Sequence, residues 1–132
     1  SKTSICLDGG ADTMALASGL LAVAKERGVD YGSLRGGFAF DPIGILVGEG
    51  AIQGGLAARL GELRDLAGWC DSHAPNLRAA WVSGQPYDGG GASAVQELAY
   101  TIATGIESLR EMTAAGLGVK LGQFIGAKVA SG

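Results

Sequence analysis

Aromatic side chains are scarce in this chain, only 6% of its residues. Its core must therefore be packed from Ala, Leu, Ile and Val, which the 47% hydrophobic content supplies. Cysteine is equally sparse. Cys6 and Cys70 stand far apart and form no CxxC pair, which excludes a disulfide framework and the common zinc patterns. They read as reduced, partly buried thiols of a cytoplasmic protein. Lys and Arg are nowhere clustered and the net charge is −3, so nucleic acid is excluded as an expected partner. No apolar run approaches the ~20 residues that span a bilayer, so no membrane partner is expected either. Ser1 opens no leader pattern, and a start without Met reads as trimmed or excised.

Glycine is the residue in excess, 24 of 132. Each glycine inside a helix or strand weakens it by roughly 0.5–1 kcal/mol relative to alanine, so little stability is left to spare. The length suits one small domain over residues 1–132.

The stretch Leu77–Gly116 organises the rest. Leu77–Ser83 is short, apolar and bounded by Pro75 and Gly84, which predicts a buried strand. Gln85–Gly91 holds a proline and three successive glycines, which predicts a turn. Ser93 suits a helix N-cap, Glu97 suits the first turn, and Gly116 suits the residue after the helix. Between them Val95, Leu98, Ala99, Ile102, Ile106, Leu109 and Met112 recur at helical spacing, which predicts the buried stripe of that helix.

Two similar units precede it. Ser4–Leu7 predicts a strand, followed by a helix over Thr13–Arg27 capped by Asp12 and stopped by Gly28. Leu34–Phe40 predicts a second strand, in which Gly36 and Gly37 imply a bulge or a close backbone approach. Asp41-Pro42 closes that strand. Ile43–Gly50 reads as a loop or short helical turn, and Ala51–His73 as a helix interrupted by glycines. The tail Val119–Ala130 predicts a last short helix, with Gly118, Gly122 and Gly126 as a soluble packing face. The fold class is therefore α/β, three consecutive βα units with a parallel sheet and right-handed crossovers. An eight-unit barrel takes about 250 residues, so the chain supplies a partial barrel or else an open sandwich.

Ligands in such folds sit at the C-terminal ends of the strands. That places Asp41, Tyr87, Asp88, Gly89, Gly90, Gly91 and Ser93 as ligand-binding candidates. The Gly89–Ser93 turn before a helix offers N–H groups to an anion such as CoA, although it lacks the Walker A lysine and the GxGxxG spacing. A structural turn is the competing reading. Asp8, Asp12, Asp41 and Asp88 all fall at strand ends, where carboxylates bind cations or act as acid and base. Three of them are equally explained as turn residues. No metal site and no catalytic residue is expected. Trp81, inside a strand, reads as core, and Tyr87 as a hydrogen-bonding residue at an interface.

The segment GASAVQELAYTIATGIESLREMTAAGL, Gly91–Leu117, resembles the cobalamin-dependent acyl-CoA mutases, the methylmalonyl-CoA mutase family. Arg35-Gly36-Gly37 and Asp41-Pro42-Ile43-Gly44 extend the likeness, toward the family's small, non-catalytic subunit, over Ile5–Leu117. The resemblance implies a (β/α)8 acyl-CoA barrel of which this chain is like three units. In the catalytic subunit a Tyr-His pair and a Gln contact substrate, and their places here hold Gln85, Pro86 and Ala39. The small subunit's own Tyr-His pair falls on Tyr87 and Asp88, the second a departure. The family's cobalamin motif, Asp-x-His-x-x-Gly, is only half met by Asp71-Ser72-His73-Ala74-Pro75. The resemblance thus implies an isomerase whose complete form uses cobalamin, and a chain that binds no cofactor alone. It implies a supporting segment whose partners are its own copies or a mutase large subunit, with acyl-CoA as ligand. A CoA- or anion-binding module at the Gly89–Ser93 turn is the alternative. An independent activity of Asp41, Tyr87 and Asp88 rests on no motif.

Overall fold

A computed structural model describes residues 4–114, 116 and 125–128, the side chains of residues 11 and 125–128 excepted. The elements run β1 (Ile5–Leu7), α1 (Thr13–Glu26), β2 (Gly36–Phe40), α2 (Pro42–Glu49), α3 (Leu56–His73), β3 (Leu77–Ser83), α4 (Gln85–Gly89), α5 (Ala94–Ala114) and β4 (Ile125–Lys128). The four strands form one parallel sheet in the order β1-β2-β3-β4. The alternation of strands and helices read in the sequence is the fold observed.

Local chemistry sets the element ends. Gly28 stops α1 with φ 69°, a left-handed conformation that costs glycine nothing. The helix expected from Ala51 starts only at Leu56, because Gly54 and Gly55 hold φ 81° and 86° and no helix runs through them. Pro42 opens α2 at a position where its missing N–H costs nothing. Residues 43–50 are thus mostly helix. Gly36 and Gly37 behave as their pairing suggested. A side chain on Gly36 would strike the Ile5 carbonyl, and one on Gly37 the Arg78 carbonyl. The β2–β3 register shifts between Gly37 and Phe40.

One core joins the helices to the sheet. Phe38, Phe40, Leu77, Ala79 and Ala80 meet Ala17 of α1, Leu63, Leu66, Ala67 and Cys70 of α3, and Met112 of α5. All three long helices therefore cover the same sheet face, as in a barrel wall. Cys6, Ala39 and Trp81 line recesses on the other face.

Three expectations need correction. The stretch Gln85–Gly91, expected as a turn, is helical over Gln85–Gly89, because Pro86 suits the first turn of a helix. The tail is a strand over Ile125–Lys128, paired with Ala80–Ser83, and not a helix. Pairing with the open edge of β3 satisfies backbone groups that a glycine-diluted helix would hold weakly. Residues 119–124 and 129–130 of that expected helix, Gly122 among them, lie outside the described residues, as does Gly118 just before it. The third correction concerns α5. Its buried side is Glu97, Thr101, Thr104, Ser108 and Met112. Val95, Leu98, Ile102 and Ile106, expected inside, are 79%, 49%, 54% and 47% exposed. Small polar residues fit closely under the helix. Thr101 satisfies its own hydroxyl by donating to the Glu97 carbonyl at 2.7 Å.

Candidate functional site

The C-terminal ends of β1, β2 and β3 frame a cleft of about 830 Å³. Asp8 comes from β1's end, Ala39 and Asp41 from β2's, Trp81 and Ser83 from β3's, and Gln85, Pro86 and Gly89 from α4. Glu49, at the end of α2, closes one side.

Asp41 is the most constrained of these residues, with only 8% of its surface exposed. Its Oδ1 accepts from the Gly44 N–H at 3.0 Å and caps α2. Its Oδ2 accepts from the Ser83 N–H at 3.3 Å and so ties the end of β2 to the end of β3. A side chain at Gly44 would collide with this carboxylate. Burial raises the Asp41 pKa above the ordinary 3.8, and the two backbone hydrogen bonds partly offset that rise. Asp8 spends one oxygen on the Gly10 N–H at 3.2 Å.

The remaining sequence candidates are split among three places. Asp41 and Gly89 line the cleft. Tyr87, Gly90 and Gly91 line a separate recess of about 330 Å³ with Val47, Gln96 and Tyr100. There the Tyr87 hydroxyl hydrogen-bonds to the Thr104 hydroxyl of α5, and its ring lies 5.4 Å from that of Tyr100. Asp88 is exposed and borders neither. Ser93 caps α5. Its hydroxyl accepts from the Gln96 N–H at 3.3 Å, while the Gln96 carboxamide accepts from the Ser93 N–H at 2.9 Å.

This wiring bears on the anion cradle. The N–H groups of Gly90, Gly91, Ala92 and Ser93 already donate to Pro86, Asp88, Tyr87 and Gln96. An anion seated on this turn would have to displace those bonds.

Sequence reasoning missed two features. Trp81, expected in the core, is half-buried and faces the uncovered side of the sheet, where it borders the cleft. The strand alternation around it, with Ala80 and Val82 buried, is the signal that would have placed it there. Arg35 and Arg78, at the other end of the same face, line a recess of about 510 Å³ with Ser4, Asn76 and Trp81. Neither arginine is in an ion pair among the described residues. Nothing in the sequence brings them together, since only sheet pairing does.

Metal and cofactor ligands can be weighed from the residues present. No group of three or more His, Cys, Asp or Glu side chains is arranged to hold a metal among the described residues. His73 ends α3, at the opposite end of the sheet from the cleft. Its ring stacks on Trp69 at 4.8 Å and its Nδ1 lies 3.2 Å from the Trp69 carbonyl. It does not line the cleft, so it would not hold a metal-bearing cofactor such as cobalamin there. Cys70 is buried and its pKa is pushed up to about 12, while Cys6 is exposed on the open face.

A parallel sheet walled by helices on one face, with a cleft at its strand ends, defines a run of βα units of the barrel type. A family model described as methylmalonyl-CoA mutase matches residues 1–124. The chain is also 37% identical over 116 residues to a methylmalonyl-CoA mutase small subunit of Streptomyces virginiae. That alignment covers 88% of this chain and 18% of the relative. The chain belongs to the methylmalonyl-CoA mutase family. The match extends well beyond Gly91–Leu117, where the likeness is strongest by motif. No helix among the described residues is long and apolar enough to cross a membrane.

Proposed function

We propose that the chain is a supporting wall segment of a mutase-type isomerase, like the small subunit, and works in the cytoplasm against a catalytic partner. One observation carries this reading. The places where the resemblance expects the catalytic subunit's substrate-contacting Gln and Tyr-His pair are Ala39, Gln85 and Pro86, and all three line the cleft. None of them moves a proton at neutral pH, so the cleft has the family's position without its acid–base chemistry. Cobalamin, in the complete enzyme, would be held by other parts of the assembly and would supply the radical for the rearrangement. The sheet face that no helix among the described residues covers supports the same reading, because parallel sheets are ordinarily covered on both faces. The test mixes the purified chain with a cobalamin-loaded mutase large subunit and follows co-elution, alongside an assay of the chain alone on methylmalonyl-CoA. Co-elution without turnover by the chain alone is expected. Independent elution of the two proteins, or turnover by the chain alone, would refute the reading.

A second reading, binding of CoA or a similar anion, is favoured by Arg35 and Arg78 in one recess of the open face. That recess and the cleft share Cys6 and Trp81, so a long ligand can run from one to the other. The guanidinium pair offers phosphate a charged seat that the Gly89–Ser93 turn lacks. Heat stabilisation by CoA, but not by pantetheine, would support it, since a ligand of the native state raises stability by mass action. Equal melting temperatures with and without CoA would remove it.

A further inference from the structure

We propose that the open face of the sheet is complementary to itself, and that two copies of this chain stack it face to face with their strands antiparallel, about a two-fold axis that crosses the strands at Trp81. This goes beyond the supporting role above. It concerns the chain away from a large subunit and does not depend on that role.

The observation is a face with opposite charges at its two ends. Arg35 and Arg78 are exposed at the N-terminal ends of β2 and β3 and line one recess. Among the described residues that recess has no carboxylate in its lining. Asp8 and Glu49 are exposed at the other end and line the cleft, which among the described residues has no Lys or Arg in its lining. None of these four side chains is in an ion pair among the described residues. Asp41, beside them in the cleft, is spent on two backbone N–H groups. The middle of the face is uncharged. Cys6 and Trp81 border both recesses, and Ala39 borders the cleft.

This charge order says what covers the face. An occupant of one charge sign would leave one end unmatched. A face positive at one end and negative at the other matches itself turned end for end. A second copy can be applied about a two-fold axis in two ways. With the axis along the strands, arginines meet arginines and carboxylates meet carboxylates. That holds whether the two sheets stack or join as halves of an eight-stranded barrel. Like charges set against each other oppose association. With the axis across the strands, the arginine end of each copy meets the carboxylate end of the other. The match is made twice, as an isologous interface requires. The uncharged middle then meets itself, Trp81 against Trp81. Stacked sheets lie about 10 Å apart, a gap that a tryptophan from each side fills.

The face is small, ~19 Å across four strands and ~17 Å along six residues. That falls below the ~800 Å² per partner of a standard interface, so a reversible dimer with Kd of roughly ten micromolar or weaker is expected. The experiment is sedimentation velocity of the intact chain from low micromolar to near millimolar concentration, at low and at high salt. It is repeated on two variants. Arg35→Glu with Arg78→Glu makes both ends of the face negative, and Asp8→Lys with Glu49→Lys makes both positive. The wild type should dimerise, and salt should weaken the dimer. Each variant alone should dimerise roughly a hundredfold more weakly, and an equimolar mixture of the two should associate again. The four substituted residues are exposed, so circular dichroism should show both variants folded. Should either not be, Cys6 of the wild type decides the matter. A maleimide should label it more slowly as concentration rises into the dimer range, whereas Val23→Cys, exposed on α1, should label at one rate throughout. A wild type that is monomeric at every concentration overturns the proposal. So does a dimer indifferent to salt and to both reversals, a mixture of the variants that stays monomeric, or Cys6 labelling that ignores concentration. A monomer whose capture by a mutase large subunit is abolished by the arginine reversal would assign the face to that partner instead. A dimer with these properties that ignores the large subunit counts only against the supporting role.

Discussion

Asp41 is held where water is scarce and two backbone N–H groups converge on it. Its raised pKa means that the folded chain holds the carboxyl proton more tightly than the unfolded chain does. The linked stability is therefore fully present below the unfolded value of 3.8 and is lost as pH rises through the folded-state pKa. A carbon-13 NMR titration of the Asp41 carboxyl should give an apparent pKa above 3.8. A lower value would mean that its hydrogen bonds outweigh burial. Replacing Asp41 with alanine removes the cap of α2 and strands the Ser83 N–H, at a cost of about 1–3 kcal/mol in urea denaturation. Gly84 is similarly fixed. A methyl group there would press on the buried Glu97 carboxylate and the Thr101 hydroxyl, so Gly84→Ala should cost about 1–3 kcal/mol by the same measurement. An unchanged midpoint would show that Glu97 can swing aside. The two cysteines should also separate cleanly. A thiol reagent at pH 7 should label Cys6 at once and Cys70 only after denaturation.

At the scale of the element, α5 shows what a sequence pattern conveys and what it leaves out. The helix itself was legible, from the Ser93 cap to Gly116, which takes φ 83° just past its end. Periodicity said that one face was apolar and left open whether that face meets the sheet. Here Thr101, Thr104 and Ser108 lie against the molecule, because short side chains let a helix settle close, with Thr101 bonded to its own turn and Thr104 to Tyr87. β3 was legible to the residue, since an apolar run between Pro75 and Gly84 has few other fates. β4 was not, because Ile-Gly-Ala-Lys carries little strand propensity and is a strand through its pairing with β3. The site divides in the same way. Asp41 was readable from Asp-Pro, while Arg35, Arg78 and Trp81 come together only in three dimensions. The capping box of α5 supplies the element's own test. Ser93→Ala should cost about 0.5–2 kcal/mol, and Gln96→Ala somewhat less, in thermal unfolding followed by circular dichroism. A larger loss for Gln96→Ala would mean that its carboxamide supports the glycine turn more than the helix.

Across the whole molecule, cohesion is unevenly distributed. β2 and β3 lie mid-sheet with the phenylalanines and alanines of the core, and α3 packs its buried Leu63, Leu66 and Ala67 over them. β1 is three residues long, lies at an edge and, among the described residues, pairs with β2 through Ile5, Cys6 and Leu7. Its side chains are half-buried or exposed. Among the described residues no helix covers one sheet face, so water reaches β1 from the edge and from that face. Local opening should therefore release β1 long before the centre unfolds. Hydrogen exchange followed by mass spectrometry should show the β1 amides exchanging roughly a hundredfold faster than those of Phe38–Phe40 and Ala79–Val82, a difference of about 2.7 kcal/mol in opening free energy. If β1 and β3 exchange at one rate, the sheet opens only as a unit. The open face then costs the fold nothing locally, and the case that something must cover it weakens. If they differ and a mutase large subunit slows β1 selectively, the partner adds to the sheet at that edge or lies across its open face.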